Sequence, residues 1–150
     1  MVMNEFTLKG KQGFIRIELQ EVYGFPESTS HFGGYDARGI AEIKSGNYYV
    51  KGQLWFTTGE VYEFYERLNQ CYHRLDGETV FSNYESNIKV EIVFTKLGQL
   101  VMRGYFKERP DQENELQFEI ESEQSYISST LNQLRNFIDQ YGDMKGKSRA

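Results

Sequence analysis

Residues Thr57 to Leu75 form one amphipathic stretch set among segments of a different period, and that contrast restricts the possible folds more than any other feature. Val61, Phe64, Tyr65, Leu68, Cys71, Tyr72 and Leu75 recur at the three- and four-residue steps that gather side chains on one stripe of an α-helix. Thr57 with Glu60 three places on has the form of a capping box, in which each side chain satisfies a backbone donor orphaned at the helix start. Gly77 stands where a left-handed residue past the helix end is expected.

The flanking segments alternate with the two-residue period of half-buried strands. Glu5 to Leu8 reads as a short first strand, and in Gly13 to Tyr23 the residues Ile15, Ile17 and Leu19 alternate with Arg16, Glu18 and Gln20. Ile40 to Lys44 and Tyr48 to Phe56 flank Ser45-Gly46-Asn47, a hairpin signal. After the helix come Thr79 to Phe81, Ile88 to Phe94, Leu100 to Phe106 and Glu115 to Glu121. A final helix spans about Glu123 to Tyr141, with Ile127, Leu131, Leu134, Phe137, Ile138 and Tyr141 as its stripe. The fold expected is α+β, with a mostly antiparallel β-sheet of seven or eight strands and two amphipathic helices, in the order β-β-β-β-α-β-β-β-β-α. One globular domain covers residues 1–142, and residues 143–150 read as a polar mobile tail.

The net charge of −5 is unevenly placed. Between Lys107 and Glu123 stand seven acids (Glu108, Asp111, Glu113, Glu115, Glu119, Glu121 and Glu123) against two bases, so this segment carries the whole excess. Such a patch repels phosphate backbones and attracts basic protein surfaces, which disfavours direct nucleic-acid binding. The N-terminus lacks the apolar core of a signal peptide, and no run approaches the roughly 18 apolar residues of a membrane span. A lone Cys71 excludes an internal disulfide and suits a reducing compartment, so a cytoplasmic address without membrane association is expected.

Candidate chemistry is sparse. Cys71 and His73 are two apart on a helix and point to different faces, and Cys71 falls on the apolar stripe. Two histidines and one cysteine without ligand spacing do not make a zinc site, and no phosphate-loop or cofactor pattern is present. The chain therefore reads as a non-enzyme with no cofactor, no metal and no catalytic residue. The segment Gly24 to Asp36 is long for a connection and rich in glycine and aromatics, as functional loops often are. The plainer reading is that Phe25, Phe32 and Tyr35 plug one end of the core.

Five stretches share a further property. Lys9-Gly10-Lys11-Gln12-Gly13-Phe14-Ile15-Arg16, Gly33-Gly34-Tyr35-Asp36, Ser45-Gly46-Asn47-Tyr48, Thr58-Gly59-Glu60-Val61-Tyr62-Glu63-Phe64-Tyr65 and Phe118-Glu119-Ile120-Glu121-Ser122-Glu123-Gln124-Ser125-Tyr126 together resemble the WapI family of bacterial immunity proteins. The resemblance runs from about Phe6 to Gly142. It implies a small cytoplasmic antitoxin that binds the C-terminal toxin domain delivered by a neighbouring cell, in the family's best-known setting a tRNA-cleaving domain.

The charge pattern suits that implication, because a toxin that cuts RNA must present a basic groove that an acidic inhibitor can occupy. Glu113, Glu115, Glu119, Glu121 and Glu123 are the first interface candidates. His31, Phe32, Tyr35 and Asp36, in the segment Ser30 to Asp36, form the second, since exposed aromatics make strong anchors. The rival reading is a small-ligand or enzymatic module with a pocket between sheet and helices lined by Tyr62, Tyr65, Tyr72 and Trp55.

Overall fold

The computed structural model describes residues 4–146. Eight strands divide equally between two antiparallel meanders, each followed by a helix. The first sheet holds β1 (Glu5–Lys9), β2 (Gly13–Val22), β3 (Asp36–Ser45) and β4 (Tyr48–Thr57), in sequence order. Helix α1 (Thr58–Arg74) leads into the second sheet, which holds β5 (Gly77–Ser82), β6 (Ile88–Phe94), β7 (Gln99–Phe106) and β8 (Leu116–Glu123), again in order. A short 3₁₀ turn (Gln124–Tyr126) precedes helix α2 (Ile127–Tyr141).

The alternation expected from the sequence is realised, with one inward row per strand. Phe6, Leu8, Ile15, Ile17, Ile43, Leu54 and Phe56 from the first sheet join Phe81, Val90, Ile92, Met102, Phe118 and Ile120 from the second in one continuous core. Helix α1 packs against α2 and β5, and α2 against β1. Phe6 lies where these pieces meet, with Phe64, Phe81 and Phe137 within 5.6–6.3 Å of its ring centre. Leu68 and Leu134, fully buried, mark the apolar stripes of the two helices.

Each edge strand makes at least one hydrogen bond outside its own sheet ladder. On β1, Thr7 N–H donates to Gln133 Oε1 (2.8 Å) and Thr130 Oγ1 donates to Thr7 O (2.6 Å). On β4, Gln53 N–H donates to Glu108 Oε2 (2.6 Å). On β8, Lys11 N–H donates to Glu121 O (2.8 Å) and Gln12 Nε2 to Glu119 O (2.9 Å). The Cys71 thiol donates to Glu78 O on β5 (3.6 Å).

Several local expectations need correction. Strand β3 begins at Asp36 rather than Ile40, because its early inward positions are Ala37, Gly39 and Ala41, too small to register as an apolar alternation. The segment after α1 is a full strand of six residues from Gly77. Leu75, not Gly77, takes the left-handed conformation at the end of α1 (φ 53°, ψ 36°), so its side chain leaves the stripe and lies 41% exposed. Gly77 has a positive φ as well, but it already opens β5. Residues 143–146 of the expected tail return to the loop before β3, where Gly34 N–H donates to Met144 O. The remainder of that tail, 147–150, lies outside the described residues.

Candidate functional site

Helix α1 starts where the long loop ends. Thr57 N–H donates to Glu60 Oε1 (2.7 Å) and Glu60 N–H donates to Thr57 Oγ1 (3.1 Å), completing the capping box. Tyr35 N–H donates to Thr58 Oγ1 (2.8 Å), and Thr58 N–H returns to Tyr35 O (2.9 Å). Gly34, at φ +70°, backs so closely onto Gly59 that an added Cβ would lie 2.2 Å from its backbone nitrogen. Glycine is required here both for the positive φ and for the approach. Two motifs separated in sequence, Gly33-Gly34-Tyr35-Asp36 and Thr58-Gly59-Glu60, are thus one junction in space. Tyr35, expected at an interface, is instead 1% exposed: its hydroxyl donates to Pro26 O (3.1 Å) and its ring meets Phe25 edge-on. Tyr35 and Phe25 accordingly follow the plug reading, whereas Phe32 does not.

The junction aims a set of aromatics outward. Phe32 lies flat on Tyr84, from the turn between β5 and β6, with ring centres 4.6 Å apart. Tyr23, at the end of β2, stacks on Trp55 of β4 at 5.9 Å. These two pairs and Asp36 line a cleft of about 510 Å³. His31, exposed, stands edge-on to Phe32 at 5.7 Å. Asp36 is half-buried and accepts from Ser30 Oγ (2.9 Å). Burial, followed by the nearby charges of Glu85, Asp36 and Glu60, raises the Tyr84 hydroxyl above its ordinary pKa. Of the residues expected at an interface, Phe32 and Asp36 line this cleft and His31 borders it; Tyr23 and Tyr84 were not among them, and Trp55 was expected in a different pocket. The available signal was Trp55 on the outward side of its strand.

The acidic strand lies on the other sheet. Of the seven acids between Lys107 and Glu123, Glu108 accepts from Gln53 N–H (2.6 Å) and Asp111 pairs with Arg109 (2.7 Å). The other five are the candidates Glu113, Glu115, Glu119, Glu121 and Glu123; the first four are exposed and Glu123 is half-buried. Glu115 accepts from Gln117 Nε2 (2.9 Å) and Glu123 from Ser125 Oγ (2.5 Å). Glu119 faces Arg103 across β7, but Arg103 is drawn to Glu91 of β6 (2.9 Å).

The two candidate surfaces join. Trp55 borders the aromatic cleft and also a hollow lined by Glu85, Asn87, Glu108 and Pro110. Glu85, Asn87 and Pro110 border the next hollow, which reaches Tyr105 and Glu115. Tyr105 borders the outer face of β6–β8 with Glu91, Arg103, Gln117 and Glu119. A chain of shallow hollows therefore runs from the aromatic rings to the acidic strand.

The model of the immunity protein WapI-like family matches residues 6–142. The chain belongs to that family. No curated protein matches it significantly.

Other groups in this WapI-like immunity protein are arranged for structure. Burial pushes the Cys71 thiol up, and the opposing charge of Arg74 does not reverse this. Cys71 is buried on the apolar stripe of α1. His73 is exposed and stacks edge-on with Tyr72. Among the described residues no group of three or more His, Cys, Asp or Glu could hold a metal ion, and no helix is long and apolar enough to cross a membrane. The expected pocket of Tyr62, Tyr65, Tyr72 and Trp55 does not form: Tyr65 and Tyr72 pack against the core, while Trp55 faces outward from β4.

Proposed function

We propose that this protein neutralises a toxin by binding its C-terminal domain in the cytoplasm, with an RNA-cleaving domain as the partner. The family match over residues 6–142 carries the reading. The protein acts by occupying the toxin's surface, without catalysis and without contacting nucleic acid. Glu113, Glu115, Glu119, Glu121 and Glu123 overhang the toxin's basic groove and steer its approach. Fast steered association suits an antitoxin, which must capture its target before RNA is cut. The five glutamates and the loop at Phe32 supply one charge-bearing end and one anchoring end of the same surface.

Co-expression with the C-terminal domain of a candidate RNA-cleaving toxin is the test, scored by rescue of growth and by co-purification. Rescue with a co-purifying complex is expected; a toxin that still kills and does not co-purify overturns the proposal. Reversal of the five glutamates to lysine tests the surface itself. The association rate at low salt should fall by at least roughly tenfold and lose most of its salt dependence. An unchanged affinity and rate would remove the acidic strand from the interface.

A further inference from the structure

We infer that the cleft between the Tyr23–Trp55 and Phe32–Tyr84 pairs is a receptor for one cationic side chain, an arginine or lysine, projecting from the toxin domain. The inference rests on the toxin-binding reading above and names what that partner inserts.

The shape comes first. Four rings from four separate segments leave apolar faces open to solvent, with Phe32 51% and Trp55 37% exposed. The two stacks hold these rings in place without a ligand, so little ordering entropy remains to be lost on binding. A long basic side chain can lay its methylene stem along one ring while its charged head sits over another, the arrangement of a cation–π contact.

Charge selects among occupants of that shape. Asp36 shares the cleft wall, and Glu85 and Glu60 add to the field felt at Tyr84. Among the described residues Asp36 and Glu85 form no ion pair with a lysine or arginine. The base beside the cleft, Arg38, stands two residues along β3 from Asp36 and opposite Trp55, next to the Tyr23 hydroxyl, and is held by Glu21 (3.1 Å) and Gln20 (3.1 Å). An anion would be repelled from this wall. A purely apolar anchor would cover Asp36 with only the Ser30 hydroxyl as its partner and no opposing charge, which costs much of the desolvation of the carboxylate. A guanidinium or ammonium group satisfies both the rings and the acid. A second copy of this chain, with its net charge of −5, is a poor source of that group. A basic toxin surface is a good one, since the hollows leading from Trp55 present Glu85, Glu108, Glu115 and Glu119, interspersed with Arg109, Lys107, Lys89 and Arg103.

Trp55 is the sole tryptophan in the chain, so its fluorescence reports directly on the cleft. The first arm titrates the full-length protein with N-acetyl-arginine methylamide and with its uncharged citrulline counterpart. A saturable change with the arginine compound, absent with citrulline and weakened severalfold in Asp36→Asn, is expected. Equal responses to both compounds, or none, overturn the inference.

The second arm measures affinity for the toxin domain. Trp55→Ala and Phe32→Ala should each weaken binding by about tenfold or more, as loss of a central anchor does. Trp55→Phe keeps the ring and should lose less, with thermal unfolding confirming that all variants remain folded. If the wild type binds toxin and folded Trp55→Ala and Phe32→Ala bind equally well, the cleft assignment fails while the toxin reading stands. If no toxin binds but arginine discrimination persists at Trp55, the toxin-specific inference fails together with the reading it rests on, and only the cleft's cation preference remains.

Discussion

Phe32 rests on Tyr84 with the two rings 3° from parallel, although they come from segments on opposite sides of helix α1. The stack ties the long loop after β2 to the turn after β5 and makes one wall of the aromatic cleft. A double-mutant cycle with Phe32→Ala and Tyr84→Ala should return a coupling of about 0.5–1.5 kcal/mol in unfolding free energy, the range for aromatic pairs. A coupling of zero would mean that the two rings do not hold one another in solution.

Glu60 connects the helix cap to the same wall. Its carboxylate takes backbone hydrogen bonds from Thr57 and Tyr84, yet burial dominates and pushes its pKa up to about 7. A carboxyl group whose folded pKa exceeds its unfolded value near 4.5 favours the folded state when protonated. Its contribution is therefore fully present below about pH 4.5, falls as pH rises through about 7, and is constant above. Glu60→Gln retains a capping-box acceptor but removes the titration. The stability of the wild type relative to Glu60→Gln should decline between pH 4.5 and 7, measured by urea unfolding at a series of pH values. A flat difference would refute the assignment.

Thr57→Ala deletes the other half of the box. The loss should be about 1 kcal/mol of unfolding free energy, the usual cost of removing a helix N-cap. Thr57→Ser, which keeps the acceptor, should recover most of it.

Gly34→Ala introduces a Cβ that would meet Gly59 N at 2.2 Å and the Thr58 hydroxyl at 2.5 Å, at a backbone φ of +70°. Strain and collision add, so the destabilisation should exceed the roughly 1–2 kcal/mol that left-handed strain alone costs. Thermal unfolding of Gly34→Ala beside Gly46→Ala is a sharp comparison, because Gly46 also has a positive φ (+61°) but open space around its Cβ. Equal losses would show that the contact with Gly59 has no energetic weight.

Phe6→Ala empties the position shared by Phe64, Phe81 and Phe137. A cost of about 3–5 kcal/mol is expected from chemical denaturation, as for other fully buried phenylalanines. Because these rings come from both sheets and both helices, one cooperative transition should be lost rather than a local one.

Much of this architecture was legible in the chain itself. Period-two alternation located most strands, and the Thr57–Glu60 pair located the start of α1, because side-chain periodicity and capping chemistry act over a few residues. The beginning of β3 was hidden by Ala37, Gly39 and Ala41, whose small side chains face the core without an apolar signature. The end of α1 was misread because its left-handed residue is Leu75, a residue type that gives no warning of positive φ. Glu108 and Asp111 are engaged by Gln53 and Arg109, a distinction from Glu113, Glu115, Glu119, Glu121 and Glu123 that side-chain type and spacing do not carry.

What the sequence by itself determined is therefore local: which residues alternate, where a helix is capped, and where negative charge accumulates. Only the tertiary structure decided that eight strands form two sheets, that Tyr35 turns inward while Phe32 turns outward, and that Tyr23, Trp55 and Tyr84 meet Asp36 at one cleft. Those outcomes depend on contacts between residues tens of positions apart, where the burial of one ring is settled by the volume left by others. Aromatic residues look alike in a sequence whether they fill a core or line its mouth.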